Sequence, residues 1–303
     1  DDVDLIRRLE FKPIISRGFA PGATIQSLAA TVTDIYALDS TNQAIYRAWS
    51  TGRTYEIDGE FDCLSGRASI PGWTTAVDLV VQPSPGALGA EGIVAVDVDG
   101  TLVYCAPGTS PASSQLTPPD LGWGRIQAIH VQYESLYVLD PEINAVWIYD
   151  ASGGLFTGSP ELYFVEEVPD MSTAIDIAMA QDELYILFED GSIDRCRRTR
   201  SSSEEDGTQF RVECVNDLEY QDERAGFAPS PELPNGTPSY MVYSAPPEPS
   251  LFFLDREQGT VFHYSMRLVY QGRYLPKEEW PGEVSVFTLG PLNDLFIAAG
   301  DQV

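Results

Sequence analysis

One short pattern recurs along this chain with its internal spacing held fixed, and it limits the fold more than any other feature. An aromatic residue, one apolar residue, Leu and Asp are followed by four turn residues and a second apolar run. The copies read Tyr36-Ala-Leu-Asp39, STNQ, Ala44-Ile-Tyr46; then Tyr137-Val-Leu-Asp140, PEIN, Ala145-Val-Trp147; then Phe252-Phe-Leu-Asp255, REQG, Thr260-Val-Phe262. Two more copies, Val96 to Cys105 and Leu187 to Cys196, use a tighter Asp-Gly turn and end in Cys. Asp-Gly between apolar residues is a hairpin signal, because Gly accepts the positive φ that such turns need. A sixth copy, Leu295 to Gly300, runs to the end of the sequence.

Each copy has an apolar strand before it, beginning at Ile25, Ala76, Ile126, Ala174, Ser239 and Val284. Units roughly 45–65 residues apart fall in the range of propeller repeats, and radial repetition of four-stranded blades is one solution to exposed sheet edges. The 15 Tyr, 13 Phe, 25 Gly and 22 Pro suit strands and tight turns. The expected fold is therefore all-β: a six-bladed β-propeller spanning residues 1–303 as a single domain. A solenoid or two stacked sandwiches is the competing architecture. The sixth unit lacks outer strands. Either the N-terminal closure segment within residues 1–19, chiefly Leu5 to Ile15, completes the last blade, or residues beyond the chain end do.

The inserted segments Ser201 to Gly207 and Asn216 to Pro238 are acidic, the second also rich in Pro, and read as solvated loops. Pro83 to Gly92 reads as a turn-rich connection. Asp39, Asp140 and Asp255 recur at a turn-starting position, where a carboxylate accepts backbone N–H bonds, so they read as structural.

Cys196 and Cys214 flank a polar loop and suit the two arms of a hairpin closed by a disulfide. Cys63 and Cys105 are the natural second pair. Four buried free thiols are the alternative. Two disulfides would place the chain in an oxidising, extracytoplasmic compartment, secreted or at the cell surface. With no C-x-x-C pair and only two His, a zinc site is disfavoured.

Charge narrows the partners. The chain carries 46 Asp and Glu against 18 Lys and Arg, a formal net charge of −28. Such a field repels nucleic acid and anionic membrane surfaces, and it also keeps an exposed protein soluble. Protein, peptide and glycan partners, homo-oligomers or a surface assembly remain open. No apolar stretch is long enough to span a membrane as a helix, although an anchor can lie outside these residues.

The inner strands of a propeller line its channel, so a site is sought there first. Asp78 and Asp176 occupy matching positions in units two and four, aligned with Ser27 and Ala128 in units one and three; His130 follows on the same strand face as Ala128. Asp78, Asp176, Ser27 and His130 are the candidates for a channel cation, calcium first, or a polar ligand. Their other reading is hydrogen bonding to neighbouring backbone. Val96 to Gly100 does not fit an EF-hand, since Ala95 and Ala106 stand where its first and twelfth ligands belong. Neither His130 nor His263 comes with a nucleophile elbow, and no phosphate-binding or dinucleotide fingerprint is present. Arg195, Arg197, Arg198 and Arg200 lie near Glu204, Glu205 and Asp206, which suggests ion pairing across a hairpin. No catalytic set is assigned.

The stretches YALDSTNQAIYRAW, YCAPG, DLGWGR with YVLDPEINAVWIYD, ELYILFEDGSIDRC and FFLDREQGTVFHYSMRLVYQGRYLP cover nearly the whole chain in order. On them the sequence resembles the NHL-like six-bladed β-propeller proteins of Chloroflexota bacteria. Some of those follow a membrane segment and a region that looks like a metal-dependent phosphatase. The resemblance implies a propeller outside the cytoplasm and is compatible with the Cys63–Cys105 and Cys196–Cys214 pairings. It carries over no catalytic residue. Three functions follow as expectations: a non-catalytic interaction or scaffold module, a cation-dependent lactonase-like hydrolase in the channel, or the sensor ectodomain of a membrane-bound phosphatase.

Overall fold

The computed structural model describes residues 5–15, 18–52, 54–64, 70–83, 86–120, 122–203, 207–224, 238–245 and 247–303. Strand β1 (Ile6–Leu9) precedes the first blade, which contains β2 (Ile25–Ala30), β3 (Asp34–Asp39), β4 (Ala44–Ser50) and β5 (Tyr55–Ile57). Blade two holds β6 (Ala76–Gln82), β7 (Gly92–Asp97), β8 (Thr101–Cys105) and β9 (Ala112–Gln115). Blade three holds β10 (Ala128–Gln132), β11 (Ser135–Asp140), β12 (Ala145–Asp150) and β13 (Glu161–Leu162). Blade four holds β14 (Ala174–Ala180), β15 (Glu183–Phe188), β16 (Ile193–Ser203) and β17 (Gly207–Val215). Blade five holds β18 (Tyr240–Ser244), β19 (Ser250–Asp255), β20 (Thr260–Ser265) and β21 (Tyr270–Pro276). The chain ends in a two-stranded sheet of β22 (Val284–Leu289) and β23 (Leu295–Ala299). Among the described residues the only helical piece is one 3₁₀ turn at Pro141–Ile143.

The fold is thus an all-β propeller of five full blades, each an antiparallel meander. The expectation of six complete blades is corrected: the sixth place in the ring holds only the β22–β23 pair. Nor does the N-terminal segment complete that pair as expected. Residues Ile6–Leu9 pair in parallel with Arg273–Pro276 of β21, making blade five five-stranded. The β21 edge is long and its N–H and C=O groups were otherwise open, so it takes the strand. Closure falls instead to Ile14 and Ile15. Their N–H groups donate to the Val303 carbonyl at 2.9 and 3.0 Å, and the Val303 N–H donates to the Ile15 carbonyl at 3.1 Å.

Blade faces pack on one another, so the second strands are buried on both sides and read as continuous apolar runs; β3, β7 and β19 are buried at every position. Six interfaces follow one another around the ring. Tyr36 and Leu79 lie between blades one and two, Val94 and Ile129 between two and three, and Ile148 and Ile177 between three and four. Tyr185 and Phe253 lie between four and five, Leu254 and Phe287 between five and the terminal pair, and Val286 and Ile25 close the circle.

The turn aspartates are structural. The Asp39 carboxylate accepts the N–H groups of Thr41 and Asn42 within its turn, and that of Thr24 just before the inner strand, all at 3.0–3.1 Å. Asp140 accepts from Gly124 and Arg125, both at 2.8 Å, and Asp255 from Gln258 at 3.0 Å. Asp97, which the repeat pattern did not align with them, does the same work toward Thr74 and Thr101 at 2.8 and 2.7 Å. Gly100 and Gly191 of the Asp-Gly turns have φ of 80° and 83°, the left-handed region that Gly tolerates.

Both cysteine pairs form disulfides, which removes the free-thiol alternative. Cys196 and Cys214 face each other across β16 and β17 with Cα atoms 4.0 Å apart; Cys63 and Cys105 stand at 5.7 Å. The Ser201 to Gly207 loop is shorter than expected, because strand pairing continues to Ser203 and resumes at Gly207. Glu204, Glu205 and Asp206 lie outside the described residues. Arg197 pairs with Asp182 and Glu183 at 3.1 and 3.6 Å and Arg195 with Glu183 at 3.9 Å, across the β15–β16 hairpin, while Arg198 pairs with Glu161 at 2.6 Å. Part of the Asn216 to Pro238 segment is not a solvated loop. Tyr220 packs on Phe253 and Tyr264, and Gln221 exchanges backbone bonds with Leu268 and Tyr270 at 2.8 Å. Apolar contact with blade five outweighs the acidic composition there; residues 225–237 lie outside the described residues.

Candidate functional site

The starts of five inner strands converge at one end of the propeller axis around a cavity of about 610 Å³. Gln26, Val77, Gln127, Ile175 and Tyr240 face it from the strands; Glu189, Arg256 and Glu257 reach it from the turns of blades four and five. Asp78 and Asp176 form part of its floor.

A β-bulge at the start of β2, β6 and β14 sets these positions. Register shifts between Ile25 and Ser27, Ala76 and Asp78, and Ala174 and Asp176. Each bulge adds a residue and re-aims the next side chain, so Ser27, Asp78 and Asp176 stand at corresponding places. The Ser27 hydroxyl donates to Asp78 Oδ1 at 2.8 Å, and that oxygen also accepts the Leu79 N–H at 2.8 Å. Asp78 Oδ2 accepts the Ile129 N–H of the next blade at 3.0 Å. Asp176 repeats the arrangement, accepting from Ile177 at 2.8 Å and from Met241 of blade five at 2.9 Å. Each carboxylate therefore bridges neighbouring inner strands.

Burial pushes the Asp78 carboxyl up to about 6, against the lowering effect of its three hydrogen bonds. Asp176 goes up to about 8, again chiefly through burial, with the charge of Asp78 adding to it. Burial also raises the Tyr240 phenol well above its ordinary value, and both carboxylates push the same way. Such a floor holds protons readily and disfavours two adjacent negative charges.

His130 is not part of this mouth. On β10 it shares a strand face with Ala128 and Gln132, the side that packs against blade four, and burial lowers its imidazole to about 4. His263 stacks on Phe252 at 4.3 Å, and burial lowers it to about 4 as well. Two of the four candidates, Asp78 and Ser27, are in direct contact, and Asp176 is near enough to feel the charge of Asp78. Among the described residues no group of three or more His, Cys, Asp or Glu is placed to hold a metal ion. The repeat alignment missed Gln26, Gln127 and Tyr240. The first two sit one residue before the aligned positions Ser27 and Ala128; a bulge turns Gln26 to the axis, whereas Gln127 lines the cavity just ahead of β10, whose pairing is regular.

No protein-family model and no curated protein sequence matches the chain. Solved structures do. A calcium-binding protein, regucalcin, from Agrobacterium tumefaciens str. C58 matches over 96% of this chain and 86% of its own, with a TM-score of 0.57 and 12% identity. The Cps50 (Swd1) β-propeller domain of Myceliophteria thermophila matches over 92% and 81%, with a TM-score of 0.51 and 11% identity. This chain is a β-propeller. At such identities the likeness shows the fold and leaves function to the site.

Proposed function

We propose that the protein is a non-catalytic interaction module that works outside the cytoplasm. The observation that carries this reading is how the channel carboxylates are used: Asp78 and Asp176 are engaged by backbone and Ser27 donors of neighbouring strands. A cation would have to compete with those bonds. The nearby imidazole, His130, is turned toward blade four. Two disulfides support a location in an oxidising compartment. The rigid ring, tied at both its first and last strands, suits the display of loops to a protein, peptide or glycan.

Turnover assays test this against the hydrolase reading. Lactones and phosphate esters are offered with calcium, zinc or manganese to the whole chain and to Asp78→Asn. The interaction reading expects equal, background rates. Metal-dependent turnover that Asp78→Asn abolishes while remaining folded overturns it.

A further inference from the structure

The cavity opens where five inner strands begin, so those strands all run away from it. The turns that follow them gather at the opposite end of the axis, and these turns carry an unusual set of side chains. Tyr133, Leu292 and Val32 sit on them at 77%, 71% and 56% exposure, three of the four most exposed large apolar side chains among the described residues. Trp49, opposite Asp34 at the start of β3, is exposed on the same end. Single exposed apolar residues need no explanation. Their concentration on the tips of one end's turns does, since turn tips favour Gly, Asn, Asp and Ser.

Tyr133 adds a second observation. It has φ of 55°, the left-handed region, where a bulky side chain is an outlier. The corresponding turn of blade four has Gln181 there, and that of the terminal pair has Asn293, residues that are polar as expected. A left-handed backbone here presents a largely exposed phenol. The turn is nonetheless held firmly: the Gln132 amide, oriented to satisfy both partners, donates to the Gln181 carbonyl at 2.8 Å and accepts its N–H at 2.7 Å. Tyr243 of blade five lies close enough for the Tyr133 phenol to influence its ionisation.

The charged residues on these turns between first and second strands are acidic. Glu134 adjoins Tyr133, Asp294 follows Leu292 by two positions, and Glu248 lies on the blade-five turn, all exposed. The nearby Arg195 and Arg197 are taken up by Asp182 and Glu183. A second copy of the chain would bring another net charge of −28 against this surface and is repelled. We propose that this end, opposite the cavity, is the docking surface for a cationic polypeptide segment with aromatic or aliphatic anchors. The proposal rests on the interaction-module reading and names its face and partner chemistry. Apolar anchors seat on Tyr133, Leu292 and Val32, while flanking Lys or Arg meets the acidic rim, an arrangement of apolar centre and charged edge that recurs in protein interfaces.

The test uses synthetic 15-residue peptides in which Lys content and Leu or Trp content vary independently, bound to the whole disulfide-intact chain and read by fluorescence anisotropy. Peptides with both features bind most tightly, and raising NaCl from 50 to 500 mM weakens them severalfold. The triple variant Val32→Ser, Tyr133→Ser, Leu292→Ser loses at least tenfold in affinity. The control Val98→Ser, Ile143→Ser removes exposed apolar groups from the cavity end and leaves affinity unchanged. These positions are exposed, so both variants are expected to fold, which thermal unfolding verifies. If the control weakens binding and the triple variant does not, the face is wrong although the module reading stands. Equal binding by uncharged or acidic peptides, no binding by any peptide, or self-association that the triple variant abolishes each overturns the proposal. Failure of the module reading would show separately, as turnover.

Discussion

The Asp78 carboxylate accepts the Ile129 N–H across 3.0 Å, joining the inner strand of blade two to that of blade three. Its other oxygen holds Ser27 of blade one, so one side chain gathers three blades at the axis. Asp78→Ala leaves the Ile129 N–H and the Ser27 hydroxyl without their acceptor. Hydrogen bonds to charged groups contribute about 1.5–3 kcal/mol, and orphaned buried donors add to the loss. Urea unfolding is expected to show a loss of about 2–4 kcal/mol. A loss within experimental error would make the carboxylate available for ligand binding and reopen the metal reading.

Asp176 predicts a pH dependence. Its ordinary value of 3.8 applies to the unfolded chain, and its folded value is about 8. The folded state therefore holds the proton more tightly. The resulting stability is complete below about pH 4 and is lost as pH rises through 8. Asp78, raised to about 6, has largely titrated by pH 7; the His residues, near 4 in the fold, keep about a quarter of their protons at pH 7 in the unfolded chain, which offsets a small part of the fall and leaves Asp176 the main contributor. The interval from pH 7 to 9 carries an expected fall of about 1 kcal/mol. Asp176→Asn should lose that slope whatever its absolute stability, measured as the urea midpoint at each pH. A slope that persists unchanged assigns it elsewhere.

These carboxylates also mark how far the sequence could be read. Asp78 and Asp176 were legible as equivalent inner-strand positions because the repeat spacing is regular. What they bond to was not, since Ile129 and Met241 contribute backbone N–H groups that leave no trace in side-chain pattern. The bulges that turn Gln26 and Val77 to the axis leave a weak signal for the same reason: one extra residue does not disturb an apolar run. Inner strands were placed to within two residues, from Ile25 and Val284 among others. The partner of β1 was missed because LIRRLEFKPII pairs through its backbone, which is indifferent to which blade edge it meets. Tyr133 was hidden too, as its exposure depends on a left-handed turn that no neighbouring Gly announces.

The disulfides act on the unfolded chain. Cys63 and Cys105 close a loop of 42 residues and Cys196 and Cys214 one of 18. By loop-closure entropy, replacing the first pair with Ser costs about 4 kcal/mol and the second about 3. The β16–β17 hairpin already holds Cys196 opposite Cys214, so the second loss should fall below its estimate. Urea unfolding of the two double variants checks both the size and the order. The reverse order would mean that the hairpin depends on its disulfide for pairing.

Ring closure concentrates on Ile15. Its side chain is buried among Ile25, Val286, Phe296 and Val303, between blade one and the terminal pair. Its backbone exchanges bonds with Val303. Ile15→Ala keeps those backbone bonds and removes only the apolar filling, so the cost isolates packing at the seam. Burial of this kind is worth about 2–5 kcal/mol on truncation to Ala. The seam has only two strands on one side, β22 and β23, so it has fewer layers with which to absorb a void. The loss should therefore exceed that of Leu79→Ala between the full blades one and two when allowance is made for local relaxation. Hydrogen exchange adds a spatial readout: β22 and β23 should lose protection before any other blade in the Ile15 variant. Uniform loss around the ring would show instead that the propeller opens as one unit and that the two-stranded sheet is no weaker than its neighbours.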